Sequence, residues 1–179
     1  MNGEWLPLEA LIWLFPVAFV IHDLEEIITV EKWVASHANT VRSKLPERLA
    51  DRVLKQFEMT TAQFAVAVLV VFLFVGSSAY LAYQSTSGGP LGTIRPFLVC
   101  NLLFFIHLFT HVAQSFYFRS VTPGAVTSVL VVLPYSLLLF RSLFDNRFVD
   151  WQMLFECLPF IVLALPVVLF AQWTGKKLA

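Results

Sequence analysis

The sequence predicts an all-α integral membrane protein, a single domain over residues 1–179 in which five transmembrane helices form a bundle beside one cytoplasmic amphipathic helix. Three observations support this prediction. Hydrophobic residues make up 58% of the chain and charged residues 13%, a balance too apolar for an ordinary soluble domain. Five stretches are long enough to cross a bilayer, which takes about 20 apolar residues. Basic residues concentrate in alternate connections between these stretches.

The five predicted spans follow one another along the whole chain. They cover residues 7–30, 61–83, 94–118, 121–140 and 152–173. The first lacks the basic leader and short apolar core of a signal peptide, so we expect it to be retained. Cys100 and Cys157 both lie inside apolar stretches, which gives no indication of a disulfide framework.

Residues 45–57, between the first two spans, have the pattern of an amphipathic helix on the cytoplasmic surface. Apolar residues fall on one side (Leu49, Val53 and Phe57), and charged residues lie around the other (Arg48, Asp51, Arg52 and Lys55). Pro46 suits the start of a helix. Basic amphipathic segments commonly anchor a protein to membrane lipids, and we expect that role here; the alternative is a lid over a site in the bundle.

The distribution of basic residues predicts the orientation. They are frequent in the first connection and the C-terminal tail (Lys32, Arg42, Lys44, Arg48, Arg52, Lys55, Lys176 and Lys177), whereas the loops on the other side hold only Arg95, Arg141 and Arg147. The positive-inside rule then places the C-terminus in the cytoplasm and the N-terminus outside a cytoplasmic membrane. The formal net charge is zero, so nucleic acid is not an expected partner.

Ionisable side chains inside two apolar stretches predict the functional site. Glu25 and Glu26 follow His22 by three and four residues, and His107 and His111 are four apart, so each group shares one helix face. Both stretches start outside, and at about 1.5 Å per residue all five side chains reach the inner half of the bilayer. Because such groups are costly in a membrane, we expect them to form one functional site.

The donor types in this group favour a metal centre. Imidazoles and carboxylates bind zinc and non-haem iron. We predict that His22, Glu26, His107 and His111 hold a divalent metal, zinc rather than iron, and that Glu25 is the general base. Gln63 and Gln114 are predicted to orient the ligands or the substrate. The expected substrate is a hydrophobic or lipid-like small molecule, and the expected reaction is hydrolysis, with an iron-dependent oxygenation as a variant.

These residues give the chain a resemblance to a known family. It resembles the bacterial membrane proteins named for their HxxEE motif, here His22, Glu25 and Glu26, followed by a later histidine, here His107 or His111. The family also has a Tyr-x-Pro-Gly element, which this chain matches in part at Pro123-Gly124. The resemblance implies a location in the bacterial cytoplasmic membrane and the same site residues, and it implies no particular reaction.

Two other functions use the same side chains. A metal-free isomerase or cyclase would move protons between carboxylates and histidines in a dry pocket. A proton or metal-ion transporter or binding protein would use them as a relay. The sequence leaves the oligomeric state open.

Overall fold

The bundle is all-α, as predicted. A computed structural model describes residues 6–56 and 59–179, and every regular element within these two ranges is helical. The six helices are α1 (Leu8–Lys44), α2 (Glu47–Gln56), α3 (Thr61–Thr86), α4 (Arg95–Phe118), α5 (Ala125–Asp145) and α6 (Trp151–Leu178). Helix α5 contains a π-helical turn at Ser128–Val132, and α6 contains a 3₁₀ stretch at Leu158–Leu163.

Helices α3 to α6 are long and apolar enough to cross a membrane. They overlap the last four predicted spans, with ends that differ by up to five residues; α5 runs from Ala125 to Asp145 in place of 121–140. Their outward faces carry large apolar side chains, and in α6 only 6% of the most apolar window is buried inside the protein. Exposed apolar surface of this extent is unfavourable in water. The chain is therefore a membrane protein, whose outer surface suits lipid.

Helix α1 differs from the predicted first span, 7–30, because it continues to Lys44. After Pro16 the chain has no glycine or proline before Pro46, so nothing interrupts the helix. His37, which falls in the predicted connection between the first two spans, lies in this extension and stacks on Trp33, with ring centroids 4.7 Å apart. The acidic residues of α1 keep it out of the set of apolar spans, although one face of its first half, which includes Ile12, Phe15 and His22, is buried. Five spans therefore remain a prediction, and four are supported.

The core of the bundle lies between α1, α4 and α5. The Phe15 ring packs edge-on against Phe97 and Phe104, at centroid distances of 5.5 and 5.7 Å, and stacks on Tyr135 at 6.1 Å. The Tyr135 hydroxyl also lies within hydrogen-bond distance of Asn101 Oδ1, at 3.2 Å. Polar side chains commonly join helices in this way inside membranes. These contacts fix the three helices that carry the site.

Helix α3 packs between α1 and α6. At one end the Thr61 hydroxyl and backbone N–H donate to the Glu31 carboxylate, at 2.6 and 3.2 Å, and these bonds lower the pKa of that exposed carboxyl. Near the same end, a Cβ on Gly175 would clash with the carbonyl oxygen of Gln63, so α6 approaches α3 closely. At the opposite end, Arg95 and Glu156 form an ion pair of 2.8 Å between α4 and α6.

Helix α2 is present where an amphipathic helix was predicted, with the bounds Glu47–Gln56 in place of 45–57. Ala50 and Leu54 are buried against Val41 of α1, and Phe118 packs on the same cluster. Leu49 is 47% exposed. Phe57, predicted for the apolar side, lies outside the described residues. The cytoplasmic position of α2 stays a prediction.

Candidate metal centre

Four side chains from α1 and α4 meet at one point. They are His22, Glu26, His107 and His111, and one potential ligand atom from each lies within 4.8 Å of all the others. Glu26 Oε1 is at the centre, 2.7 Å from His111 Nε2 and 3.4 Å from both His22 Nε2 and His107 Nε2. The structure thus brings together the four residues predicted as metal ligands.

The donor set fits a divalent cation, and its spacing fits in part. In a tetrahedral zinc site with bonds near 2.0–2.1 Å, ligand atoms lie about 3.4 Å apart. The separations of His22 Nε2 and His107 Nε2 from Glu26 Oε1 have this value, whereas His111 Nε2 lies closer, 2.7 Å from both Glu26 Oε1 and His107 Nε2. Within residues 6–56 and 59–179, His22 Nε2 is buried without a hydrogen-bond partner. Buried polar atoms normally have one, and a cation would satisfy it.

Hydrogen bonds around Thr127 select the tautomer of His22. The Thr127 hydroxyl donates to Glu25 Oε2 at 2.6 Å, and the Thr127 hydroxyl oxygen also lies 3.0 Å from His22 Nδ1. Because the single hydroxyl proton points to the carboxylate, the oxygen can only accept from the histidine. His22 Nδ1 therefore carries the proton, and the Nε2 lone pair faces the cluster, as a metal ligand requires.

Glu25 itself lies apart from the four clustered residues. Its carboxylate accepts from the backbone N–H of Thr127 at 2.7 Å and of Val126 at 3.3 Å, in addition to the Thr127 hydroxyl. These amides belong to the first turn of α5, where the helix dipole favours a negative charge. The arrangement fits a residue that orients His22 through Thr127. The role of Glu25 as general base stays a prediction.

The turn before α5 closes over the cluster at Gly124. This residue has φ +78°, and a Cβ there would lie 2.7 Å from Glu26 Oε1 and 2.9 Å from His111 Cε1. The turn is held on α4 by Thr122, whose hydroxyl lies 3.2 Å from the His111 carbonyl oxygen and 2.7 Å from Ser115 Oγ. Both the backbone conformation and the space therefore require glycine.

The cluster lines a cavity of about 1270 Å³ between α1, α3, α4 and α6. Most of the lining is apolar, and it includes Val71, Leu103 and Val167. Asp23 also lines the cavity, and its Oδ2 is buried without a hydrogen-bond partner in the described part of the chain. The site is thus a polar spot in an apolar chamber, the usual character of a small-molecule site.

Of the two glutamines predicted to support the site, Gln114 lines the cavity. Gln63 instead completes a capping box at the start of α3, where its Oε1 accepts from the Thr60 N–H at 3.2 Å. Thr127 and Gly124 are not among the predicted site residues. The incomplete Tyr-x-Pro-Gly match pointed to Gly124, but nothing in the spacing of Thr127 along the chain indicated a bond to His22.

Thr127→Val should weaken metal binding by about 10- to 100-fold, because the residue that fixes the His22 ring is lost. Isothermal titration of the apo protein with zinc measures this. Thr174→Val is the matched control, since the Thr174 hydroxyl donates to Phe170 O within its own helix. Equal zinc affinity in Thr127→Val and wild type would contradict the proposed orienting bond.

Gly124→Ala should lower both metal occupancy and thermal stability. The substitution places a methyl group against Glu26 and His111 and forces a positive φ on alanine, which costs more than about 1 kcal/mol. Metal content and unfolding temperature are the measurements. Gly76→Ala is the control, because nothing lies within 4 Å of its Cβ position. Wild-type metal content in Gly124→Ala would show that the close approach is unimportant.

Comparison with known protein families finds a match over the part of the chain that contains the cluster. Curated proteins and solved structures gave no match. A family model described as a protein of unknown function with HXXEE motif matches residues 13–139. The match covers more than half of the chain, includes all four clustered residues and Gly124, and ends before α6. On this evidence the chain belongs to the HXXEE-motif family.

Proposed function

We propose that the protein is a metal-dependent enzyme embedded in the membrane that acts on a lipid-like substrate, with hydrolysis as the favoured reaction. One observation carries the proposal: three imidazoles and a carboxylate converge within 4.8 Å at the wall of a large apolar cavity. Structural histidines in a membrane need only hydrogen-bond partners. Convergence on a single oxygen beside a chamber that can hold a hydrophobic molecule supports chemistry on such a molecule.

His22, Glu26, His107 and His111 would hold the metal. Zinc is favoured over iron because three histidines with one carboxylate are familiar zinc donors, although the same donor types also bind iron. When bound, a divalent ion would supply Lewis acidity, which polarises a carbonyl group and makes water nucleophilic at neutral pH. His107 is the most open of the ligands, with 45% of its side chain exposed, so substrate would approach from its side.

Proton transfer needs a further carboxylate, and two are available. Glu25 was the predicted base, but its oxygens already accept bonds from Val126 and Thr127. Asp23 lines the cavity and has a buried oxygen without a partner among the described residues. A base must reach the reacting molecule, so position supports Asp23 for proton transfer and Glu25 for orientation.

The favoured reaction needs water as its only co-reactant. In the hydrolysis of an ester, the hydroxyl of water joins the acyl carbon, the bond from that carbon to the alcohol oxygen breaks, and the second proton leaves with the alcohol. The apolar walls would exclude other water and strengthen electrostatic interactions at the reacting group. Amphiphilic substrates would enter from the inner leaflet, which is nearest the proposed depth of the cluster.

A metal-free acid–base enzyme is the second candidate. His107 Nε2 and His111 Nε2 lie 2.7 Å apart, and Glu26 Oε1 lies 2.7 Å from His111 Nε2. These separations suit a chain of proton-sharing groups, as an isomerase or cyclase would use. A role in proton or metal-ion transport has less support, because the cluster opens into a mainly apolar cavity.

The proposed orientation adds α1 as a fifth span, with the N-terminus outside and α2 on the cytoplasmic face of a bacterial inner membrane. One face of the first half of α1 is buried in the bundle and the other carries exposed apolar side chains such as Trp13 and Val17, which supports the fifth span. The concentration of basic residues between Lys32 and Lys55 supports the orientation.

His22→Ala and His111→Ala should each lower the metal content of the purified protein severalfold, because each removes one of four ligands. Elemental analysis by mass spectrometry after expression with added zinc measures this. His37→Ala is the control, since His37, the one histidine of the four that lies outside the cluster, bonds to Ser120. Wild-type protein without stoichiometric metal would overturn the metal proposal and favour the metal-free enzyme.

Asp23→Asn should retain metal and lower the hydrolysis of p-nitrophenyl esters with long acyl chains by about 10²- to 10⁴-fold, the usual contribution of a general base. Glu25→Gln should weaken metal binding instead, because it disturbs the bond network of Thr127. If Glu25→Gln kept its metal but lost hydrolysis activity, and Asp23→Asn kept both its metal and its activity, Glu25 would be the base.

Single cysteines introduced in a variant without Cys100 and Cys157 test the orientation. A cysteine replacing Lys44 should react with a membrane-impermeant maleimide only after the cells are opened, because it lies in the basic connection. A cysteine replacing Gly88, in the turn after α3, should react in intact cells. The reverse pattern would invert the topology.

A further inference from the structure

The cavity extends in two directions from the metal cluster. Along α4 its lining runs from Arg95 to Phe118. From His107 to Arg95 the helix rises about 18 Å, and from His111 to Phe118 about 10 Å. We call the part between the cluster and Arg95 the long arm and the part between the cluster and α2 the short arm. The reactive site is thus neither at the mouth nor at the end of the cavity.

The two arms differ in polarity. The long arm is lined by apolar side chains from three helices, among them Val71, Val75, Leu103, Phe160 and Ala164. It ends at Arg95, whose guanidinium is paired with Glu156 at 2.8 Å. The short arm is also largely apolar, with Leu45, Leu49 and Val53 beside α2, but it includes the polar side chains of Gln114 and Tyr117. A molecule that fits both arms has an apolar tail and carries polar groups at its other end.

Resting on the function proposed above, we infer that the long arm binds a hydrocarbon tail of an amphiphilic lipid, and that the short arm takes its polar headgroup. The bond at the junction of head and tail then lies at the cluster. The length of the long arm agrees with half of the ~30 Å hydrocarbon core, the reach of a lipid tail in one leaflet. The Arg95–Glu156 ion pair lies at the far end of the arm, so a tail longer than the arm meets two charged groups there.

Selection by length follows from the surroundings. Lipid tails in the bilayer are as apolar as the walls of the arm, so a longer tail gains little by moving from lipid into the protein. A tail that exceeds the arm must displace packed side chains or reach a charged pair, both of which are unfavourable. The free-energy penalty for a tail longer than the arm is therefore larger than the free-energy gain for a tail that fits.

Photo-crosslinking of purified wild-type protein tests this inference. The probes are straight-chain alcohols from octanol to octadecanol, each with a diazirine at the end of the tail, and mass spectrometry locates the labelled residues. Intermediate tails should label Cys157, which is buried near the end of the long arm. Shorter tails should label residues nearer the cluster, such as Leu103. Labels that stay on outward-facing residues at every length would indicate ordinary surrounding lipid and overturn the inference.

A variant that shortens the arm provides a second measurement. Ala164→Phe places a ring inside the long arm and should reduce labelling at Cys157 by roughly tenfold or more, because the added volume blocks the path. Leu165→Phe is the matched control, since Leu165 is 61% exposed on the outward face of the same helix. Unfolding temperatures near that of wild type would show that both variants fold. Equal labelling in the two variants would overturn the tail assignment.

The outcomes separate this inference from the proposed metal chemistry. The alcohol probes do not need a metal, so length-dependent labelling of the long arm in protein without stoichiometric metal would support the tail site and reject the metal-dependent enzyme. If the four ligands bound metal and the long arm were not labelled, the metal centre would be supported and the lipid-tail site would be rejected.

Discussion

The contact of the Glu26 carboxylate with three imidazoles is the constraint on which the rest of the structure depends. A carboxylate in an apolar interior is strongly unfavourable unless it is paired or bound to a metal. Glu26 has His22 on its own helix, at four residues' separation, and reaches His107 and His111 on α4. This pairing requires α1 and α4 to be adjacent, and it explains why a helix with four acidic residues in its first half is buried in the bundle.

The remaining helices support this contact from two directions. On one side, Phe15 packs against Phe97, Phe104 and Tyr135 and so fixes α1, α4 and α5. On the other side, the turn at Gly124 presses on Glu26 and His111, and Thr127 connects His22 to Glu25. The first turn of α5 thus has two roles: its backbone amides donate to the Glu25 carboxylate, and Thr127 orients His22. Six of the positions that build the site lie in two short segments, His22, Glu25 and Glu26 in 22–26 and Thr122, Gly124 and Thr127 in 122–127.

The cavity relates this polar cluster to a membrane environment. Its walls come mainly from α3, α4 and α6, of which α3 and α6 are the spans least buried inside the protein. In a membrane a hydrophobic molecule would enter between them without crossing water. The asymmetry of the two arms places the cluster at a polar–apolar junction. A site of this kind suits chemistry on an amphiphile better than transport of an ion, which needs a polar path.

The sequence by itself determined the fold class, four spans and the identity of the clustered residues. Apolar stretches of about 20 residues can only be satisfied as helices in a bilayer, and the spacings His22–Glu26 and His107–His111 determine which side chains share a face. Only the tertiary structure decided the rest. The capping of α5 by Glu25, the bond from His22 to Thr127 and the closeness of Gly124 to His111 join residues about 13 to 105 positions apart in the chain. Helical periodicity relates neighbours within a few turns, and it contains no information about which turn of another helix lies opposite, since packing of the whole bundle sets that register.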